Sequence, residues 1–256
     1  MQESDLLPPN YAKMPSTSSS HYGYGLDQTS FSSLISKEYP ALKDTVYLDH
    51  AASPPTPPSA VQSFANALSN TLYANPHSHS SSSSSTALEI DRIRGRVLQV
   101  LFGVQNPQDR KWDVIFTAGA TAALKLVGEA FPWNGTSTRY RYLKESHTSL
   151  VGIRGCALAK GASVESIDLR DIELGSGDET IETLWGYPAQ CNVTGSRLGL
   201  SLARELKRRS NTAVLVDAAG YLSTSVLDLD SIPYEEAPDF VACSFYKIYV
   251  RPHLTK

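Results

Sequence analysis

From residue 140 onward, short apolar runs alternate with stretches whose apolar positions recur at helical spacing. Tyr140 to Leu143, Ser163 to Asp168, Leu184 to Ala189, Thr212 to Val216 and Phe240 to Cys243 read as strands. Ser149 to Leu158 and Leu198 to Arg209 read as helices between them. Just upstream, Trp112 to Phe116 predicts a strand and Thr121 to Ala130 a helix. Strands that alternate with helices predict an α/β fold, with a mostly parallel sheet flanked by helices. Sheets of that kind bind ligands beyond the carboxyl ends of their strands.

The first third of the chain reads differently. Residues 1–38 are rich in Ser, Pro, Tyr and Gly and predict a mostly disordered tail, with one short helix near Phe31 to Ile35. Thr45 to Asp49 predicts a short strand running into a turn at Pro54, Pro55, Pro57 and Pro58. Ala60 to Leu72 predicts a helix, and Ile90, Ile93, Val97 and Leu101 share one face of another. Between them stand Asn75-Pro76-His77-Ser78-His79 and the six serines Ser80 to Ser85, a linker-like composition. Because helical stretches flank the run, it is expected as a loop inside one domain, which extends over 39–256.

Composition narrows the function classes. The 256 residues are 41% hydrophobic and 19% charged, enough to bury a sizeable core. A net charge of -3 argues against a general nucleic-acid binder. No apolar run approaches the ~20 residues that cross a bilayer. The start, Met1 to Met14, has neither a secretory nor a transit-peptide pattern. Cys156, Cys191 and Cys243 stand far apart with no CxxC pair, which fits a reducing, cytoplasmic setting.

The candidate chemistry stands at the ends of the predicted strands. Thr117-Ala118-Gly119-Ala120-Thr121 joins a strand to a helix. Its small residues, the free N–H groups of the helix start and the Thr121 hydroxyl make a phosphate cradle, without the spacing of a Walker loop. Asp217 ends the strand Val214-Leu215-Val216, where a buried carboxylate needs a cation or donors. Lys247 follows the strand end at Ser244-Phe245-Tyr246. Loss of hydration at such a place favours the neutral amine that Schiff-base chemistry requires. Each feature has an ordinary reading as packing, turn or surface. Together they match the needs of pyridoxal phosphate: a phosphate site, a lysine for the aldehyde and an acid for the ring nitrogen. His147, after another strand, is placed to cover the ring face.

Several motifs in order carry a resemblance. Tyr47-Leu48-Asp49-His50-Ala51-Ala52 and Asn75-Pro76-His77-Ser78 resemble the opening motifs of the class V aminotransferase family. Phe116 to Lys125, Phe131-Pro132-Trp133 and Ser146-His147-Thr148-Ser149 resemble its eukaryotic molybdenum cofactor sulfurase branch. So do Pro188-Ala189-Gln190-Cys191-Asn192 and Ser244-Phe245-Tyr246-Lys247-Ile248. The resemblance implies the large domain of the fold type I pyridoxal-phosphate enzymes. Lys247 would be the Schiff-base lysine and Asp217 the partner of the pyridinium nitrogen. His147 would stack on the ring and move protons. Gly119, Ala120, Thr121 and Ser244 would hold the phosphate, with Asn192 near the ring hydroxyl. The implied reaction takes sulfur from L-cysteine for the molybdenum cofactor of molybdenum hydroxylases, and the implied assembly is a homodimer.

The sequence departs from the family at several points. Gly220 and Tyr246 stand where related cysteine desulfurases carry Gln and His. After Lys247 the family continues with a Gly-rich turn, another strand and a small domain bearing a substrate-binding arginine and a sulfur-accepting cysteine. This chain reads Tyr249-Val250-Arg251-Pro252-His253-Leu254-Thr255-Lys256 instead. The expectation is therefore a chain cut short after the lysine. The alternatives are a catalytically silent fragment, or another class V lyase or aminotransferase. Other patterns are weaker. Ser244 to Lys247 matches S-x-x-K, but the companion SDN and KTG motifs of that hydrolase pattern are absent. His50, His77 and His79 lack a clear partner set for a metal, and none is expected. Lys207-Arg208-Arg209 reads as a solvated helix end.

Overall fold

The computed structural model describes residues 21–22, 26–109, 111–172, 180–209 and 211–248. The chain divides into two compact units, one with residues up to 50 together with 55–71, the other with 51–54 and 72 onward. The first unit holds a two-residue hairpin, β1 (His21–Tyr22) and β2 (Leu26–Asp27), then α1 (Gln28–Glu38) and α2 (Pro58–Asn70). Most of the predicted tail lies outside the described residues, and its predicted short helix is the longer α1. The predicted strand at Thr45 to Asp49 is irregular, with Val46 84% and Leu48 87% exposed. A strand needs a neighbour for its N–H and C=O groups, and this segment has no ladder partner among the described residues.

The second unit begins with α3 (Ser81–Phe102). Here the expectation of a loop at the serine run is corrected. Ser80 caps the helix, its hydroxyl accepting the Ser83 N–H at 3.2 Å. The hydroxyls of Ser84, Ser85 and Thr86 bond back to carbonyls one turn earlier, so the polar run satisfies itself inside the helix. α4 (Ala120–Ala130) follows, then β3 (Thr138–Leu143). The single helix expected at Ser149 to Leu158 is two short ones, α5 (Thr148–Val151) and α6 (Arg154–Ala159), separated at Gly152. The remaining elements are β4 (Ser163–Ile167), β5 (Glu182–Pro188), α7 (Leu200–Lys207), β6 (Thr212–Asp217) and β7 (Phe240–Ala242).

Five strands form one parallel sheet in the order β4-β3-β5-β6-β7. Both faces are covered, and the period of two along each strand sorts the core. Trp185, Tyr187, Val214 and Val216 pack with α3 and α7 through Val97, Leu98, Leu101, Leu200, Ala203 and Leu206. The alternate positions Tyr140, Tyr142, Leu184 and Leu215 pack with α4, α5 and α6 through Leu124, Leu150, Ile153 and Ala157. Gly186 stands on the second face because nothing larger fits. A Cβ there would lie 2.8 Å from the Tyr140 hydroxyl and 3.1 Å from Leu150 Cδ1, and that hydroxyl donates to the Leu150 carbonyl at 2.8 Å. Gly186→Ala is therefore expected to cost about 1–3 kcal/mol by overpacking. Urea unfolding measures it as a lower midpoint with an unchanged slope.

Trp112 to Phe116, expected as a strand, makes no ladder. Ile115 is 70% and Phe116 47% exposed. An apolar cavity of about 210 Å³ is lined by both this segment and β7. The other predicted strands and helices of this unit are present within a few residues of their expected bounds. Among the described residues no helix is long and apolar enough to cross a membrane.

Candidate active site

The sheet winds in both directions from β3 and β5, so its strand order reverses there. Ligands collect beyond the carboxyl ends at such a reversal. The register aligns these ends: Pro188 pairs with Asp217, and Asp217 with Ala242. Asp217 ends β6, and the segments that leave β3, β5 and β7 carry His147, Asn192 and Lys247. α4 presents its N-terminus with Gly119, Ala120 and Thr121.

Asp217 is the buried acid of the site, 7% exposed. Burial pushes its carboxyl above the ordinary value; the Ala219 N–H, donated at 3.0 Å, and the charges of His147 and Lys247 oppose that rise. His147 and Lys247, which follow two different strands, thus act electrostatically on Asp217. Lys247 lies in a half-buried turn of 3-10 helix just beyond β7, its ammonium 5.9 Å from the centre of the Tyr246 ring. Cys243, between β7 and that turn, is pushed up to about 11 by burial and by Asp217, which keeps its thiol protonated near neutrality.

The opposite end of the site is built for an anion. Gly119 caps α4 with φ at +150°, a conformation that favours glycine, and offers no side-chain cap. The first N–H groups of that helix therefore point outward unbonded by a cap. Ser244 is 2% exposed, and its hydroxyl has no hydrogen-bond partner. A Cβ placed on Gly119 would lie 3.9 Å from that hydroxyl, so Ser244 stands directly at the helix start. A buried hydroxyl without a partner is costly unless a ligand supplies one. Uncapped N–H groups, an orphaned buried hydroxyl and the exposed Thr121 hydroxyl fit a phosphate group. A buried acid and a lysine on adjacent strand ends fit the ring nitrogen and aldehyde of pyridoxal phosphate.

His147 caps α5. Its Nδ1 accepts the Ser149 N–H at 3.2 Å and lies 3.0 Å from Ser149 Oγ. That hydroxyl in turn lies 2.8 Å from Thr121 Oγ1 on α4. Ser149 belongs to the Ser146-His147-Thr148-Ser149 motif, and the signal of its role is its position two residues after a histidine at a helix start, where a cap bond forms. Asn192 is exposed in the loop after β5. Arg197 holds that loop to the one after β6, donating to Gln190 Oε1 at 3.2 Å and to Ser225 Oγ and Thr224 Oγ1 at 2.8 Å each. Among the described residues no group of three His, Cys, Asp or Glu is arranged to hold a metal ion.

The description of the aminotransferase class-V family matches residues 46–250. This chain belongs to the class V aminotransferase family. Among curated proteins, the molybdenum cofactor sulfurase of Neurospora crassa is 40% identical over 257 residues, covering 94% of this chain and 26% of that protein. The human molybdenum cofactor sulfurase is 38% identical over 261 residues, and that of Danio rerio 36% over 255. This class V chain spans 28% and 29% of those two relatives, so it corresponds to between a quarter and a third of their length. In fold it is similar to the cysteine desulfurase CsdA of Escherichia coli, with a TM-score of 0.64 at 22% identity, over 85% of this chain and 55% of that one. It is also similar to a mutant of C-DES with glycine covalently linked to its PLP cofactor, with a TM-score of 0.63 at 16% identity. That likeness covers 85% of this chain and 57% of C-DES.

Proposed function

We propose that this chain is the cofactor-binding part of a molybdenum cofactor sulfurase-like sulfurtransferase, binding pyridoxal phosphate and taking sulfur from L-cysteine. The single observation that carries the reading is that Asp217 and Lys247 stand at two adjacent strand ends, with the orphaned Ser244 hydroxyl between them in sequence lying at the uncapped start of α4. The sulfurase relatives, alike over nearly the whole of this chain, support the choice of cysteine and of the molybdenum cofactor as sulfur acceptor.

Pyridoxal phosphate, when bound, supplies an aldehyde for amines and a protonated ring that draws electrons from a substrate's Cα. Each residue has a share in holding it. The α4 N–H groups of Ala120 and Thr121, with the Thr121 and Ser244 hydroxyls, hold the phosphate, and Gly119 keeps the approach open. The Asp217 carboxylate holds a proton on the ring nitrogen, which offsets the burial of its charge. Lys247 supplies the amine for the aldehyde and is placed to take a proton from substrate Cα. His147 would cover the ring face, and Asn192 would stand at its hydroxyl. No role is assigned to Cys156, Cys191 or Cys243. The assay adds a thiol, which reduces the sulfur released from cysteine to sulfide and is itself oxidised to its disulfide.

The test is alanine formation from L-cysteine, with pyridoxal phosphate and an added thiol. The reading expects alanine and sulfide in equal amounts, lost in Lys247→Ala. Folded, cofactor-loaded protein that turns over other amino acids but not cysteine would contradict the substrate. Loaded protein with no turnover would confine the chain to cofactor binding.

A further inference from the structure

We propose that Ser149 is a positioning residue that ties the ring of His147 to Thr121 at the start of α4. The observation is a continuous chain of polar atoms: Thr121 Oγ1, Ser149 Oγ at 2.8 Å, and His147 Nδ1 a further 3.0 Å away. A backbone N–H can only donate, so the Ser149 N–H at 3.2 Å makes Nδ1 an acceptor and leaves the ring proton on Nε2. The serine hydroxyl has one proton and two lone pairs, so it can bond to Nδ1 and to Thr121 at once. The backbone bond fixes which nitrogen carries the proton, and the side chain fixes how the ring is turned and anchors it to a different helix. A cap alone requires only the backbone bond; the hydroxyl link across to α4 is the additional element. What the link serves rests on the pyridoxal-phosphate reading: Thr121 lies at the phosphate end and His147 over the ring, so Ser149 sets the two ends of one ligand against each other without touching either. The link itself does not depend on that reading.

The test compares the full chain with Ser149→Ala and Ser149→Thr, the latter keeping the hydroxyl. The first measurement uses cofactor-free protein. Ring-nitrogen NMR of ¹⁵N-histidine, with His147 assigned by its absence in His147→Gln, is expected to show one Nε2-protonated species in wild type and Ser149→Thr. In Ser149→Ala the Nδ1 resonance shifts and broadens. The second measurement is a titration with pyridoxal phosphate. Ser149→Ala is expected to raise the Kd about fivefold and to reduce the visible circular dichroism of the bound cofactor, with Ser149→Thr restoring both. Unmoved His147 resonances in Ser149→Ala, or a loss that Ser149→Thr does not restore, would overturn the proposal. If Ser149→Ala does not fold, Thr121→Val removes the far end of the link and is expected to shift the same resonances; unmoved resonances there overturn it equally. A pinned His147 ring in a wild-type protein that takes up no pyridoxal phosphate would overturn the cofactor reading and leave the link standing.

Discussion

Lys247→Ala is expected to remove the visible absorbance that this chain gains with pyridoxal phosphate, and to cut alanine release from cysteine roughly 10²–10⁴-fold. The lysine stands in a short turn just past β7, next to a strand whose end carries a buried acid. It supplies the nitrogen of a covalent bond, which no neighbouring group replaces. Lys247→Arg keeps the positive charge but has no amine to offer, so it is expected to fail as well. The pair of variants separates covalent chemistry from electrostatics. Both should unfold at temperatures close to wild type in the absence of cofactor, because the side chain is only half buried. Retention of the band in Lys247→Ala would move the attachment elsewhere.

Asp217→Asn is expected to strengthen the cofactor-free protein and weaken the loaded one. Burial raises the folded-state carboxyl above its unfolded value, with the Ala219 N–H, His147 and Lys247 offsetting part of that rise. The folded state thus binds the proton more tightly than the unfolded chain. Stability from this group is fully present below the unfolded carboxyl value and is lost as pH rises through the folded one. At neutral pH, above the unfolded carboxyl value, the raised proton affinity of the buried carboxyl is a cost to the empty site. Asparagine keeps the shape and can still accept the Ala219 N–H. Removing the charge should stabilise the cofactor-free protein by on the order of 1 kcal/mol at neutral pH, and flatten its loss of stability above the acid range. The same change removes a charge-assisted bond to the ring nitrogen, so the Kd for pyridoxal phosphate should rise roughly tenfold to a hundredfold. Unfolding curves against pH and a cofactor titration measure the two halves. A destabilised variant with unchanged affinity would contradict both.

Much of this architecture can be read from the order of residues. The buried strands announce themselves because both sheet faces are covered, so runs such as Leu184 to Ala189 and Thr212 to Val216 are almost wholly apolar. The strand-end residues Asp217 and Lys247 stand out because polar groups follow directly on such runs. What the sequence does not reveal depends on neighbours. Thr45 to Asp49 and Trp112 to Phe116 have strand-like composition, but pairing is a property of two segments, and the second is not written in the first. The serines at the start of α3 look like a linker because their hydroxyls compete for backbone groups. Here Ser80 and the bonds one turn back turn that competition into a helix start. Ser149 is hidden for the same reason: its contact with Thr121 joins residues 28 positions apart. Ser244, by contrast, is legible in the motif, and the structure adds that its hydroxyl is buried without a partner.

The central claim is that the strand-end residues form a pyridoxal-phosphate site with Lys247 as its covalent anchor. Borohydride reduction of the chain loaded with pyridoxal phosphate, followed by peptide mass spectrometry, tests this directly, because reduction makes a lysine–cofactor bond permanent. The account predicts the added mass on the peptide containing Lys247, displaced by cysteine added before reduction. The added mass on another lysine, such as Lys125 or Lys144, or on none in folded protein, would contradict it.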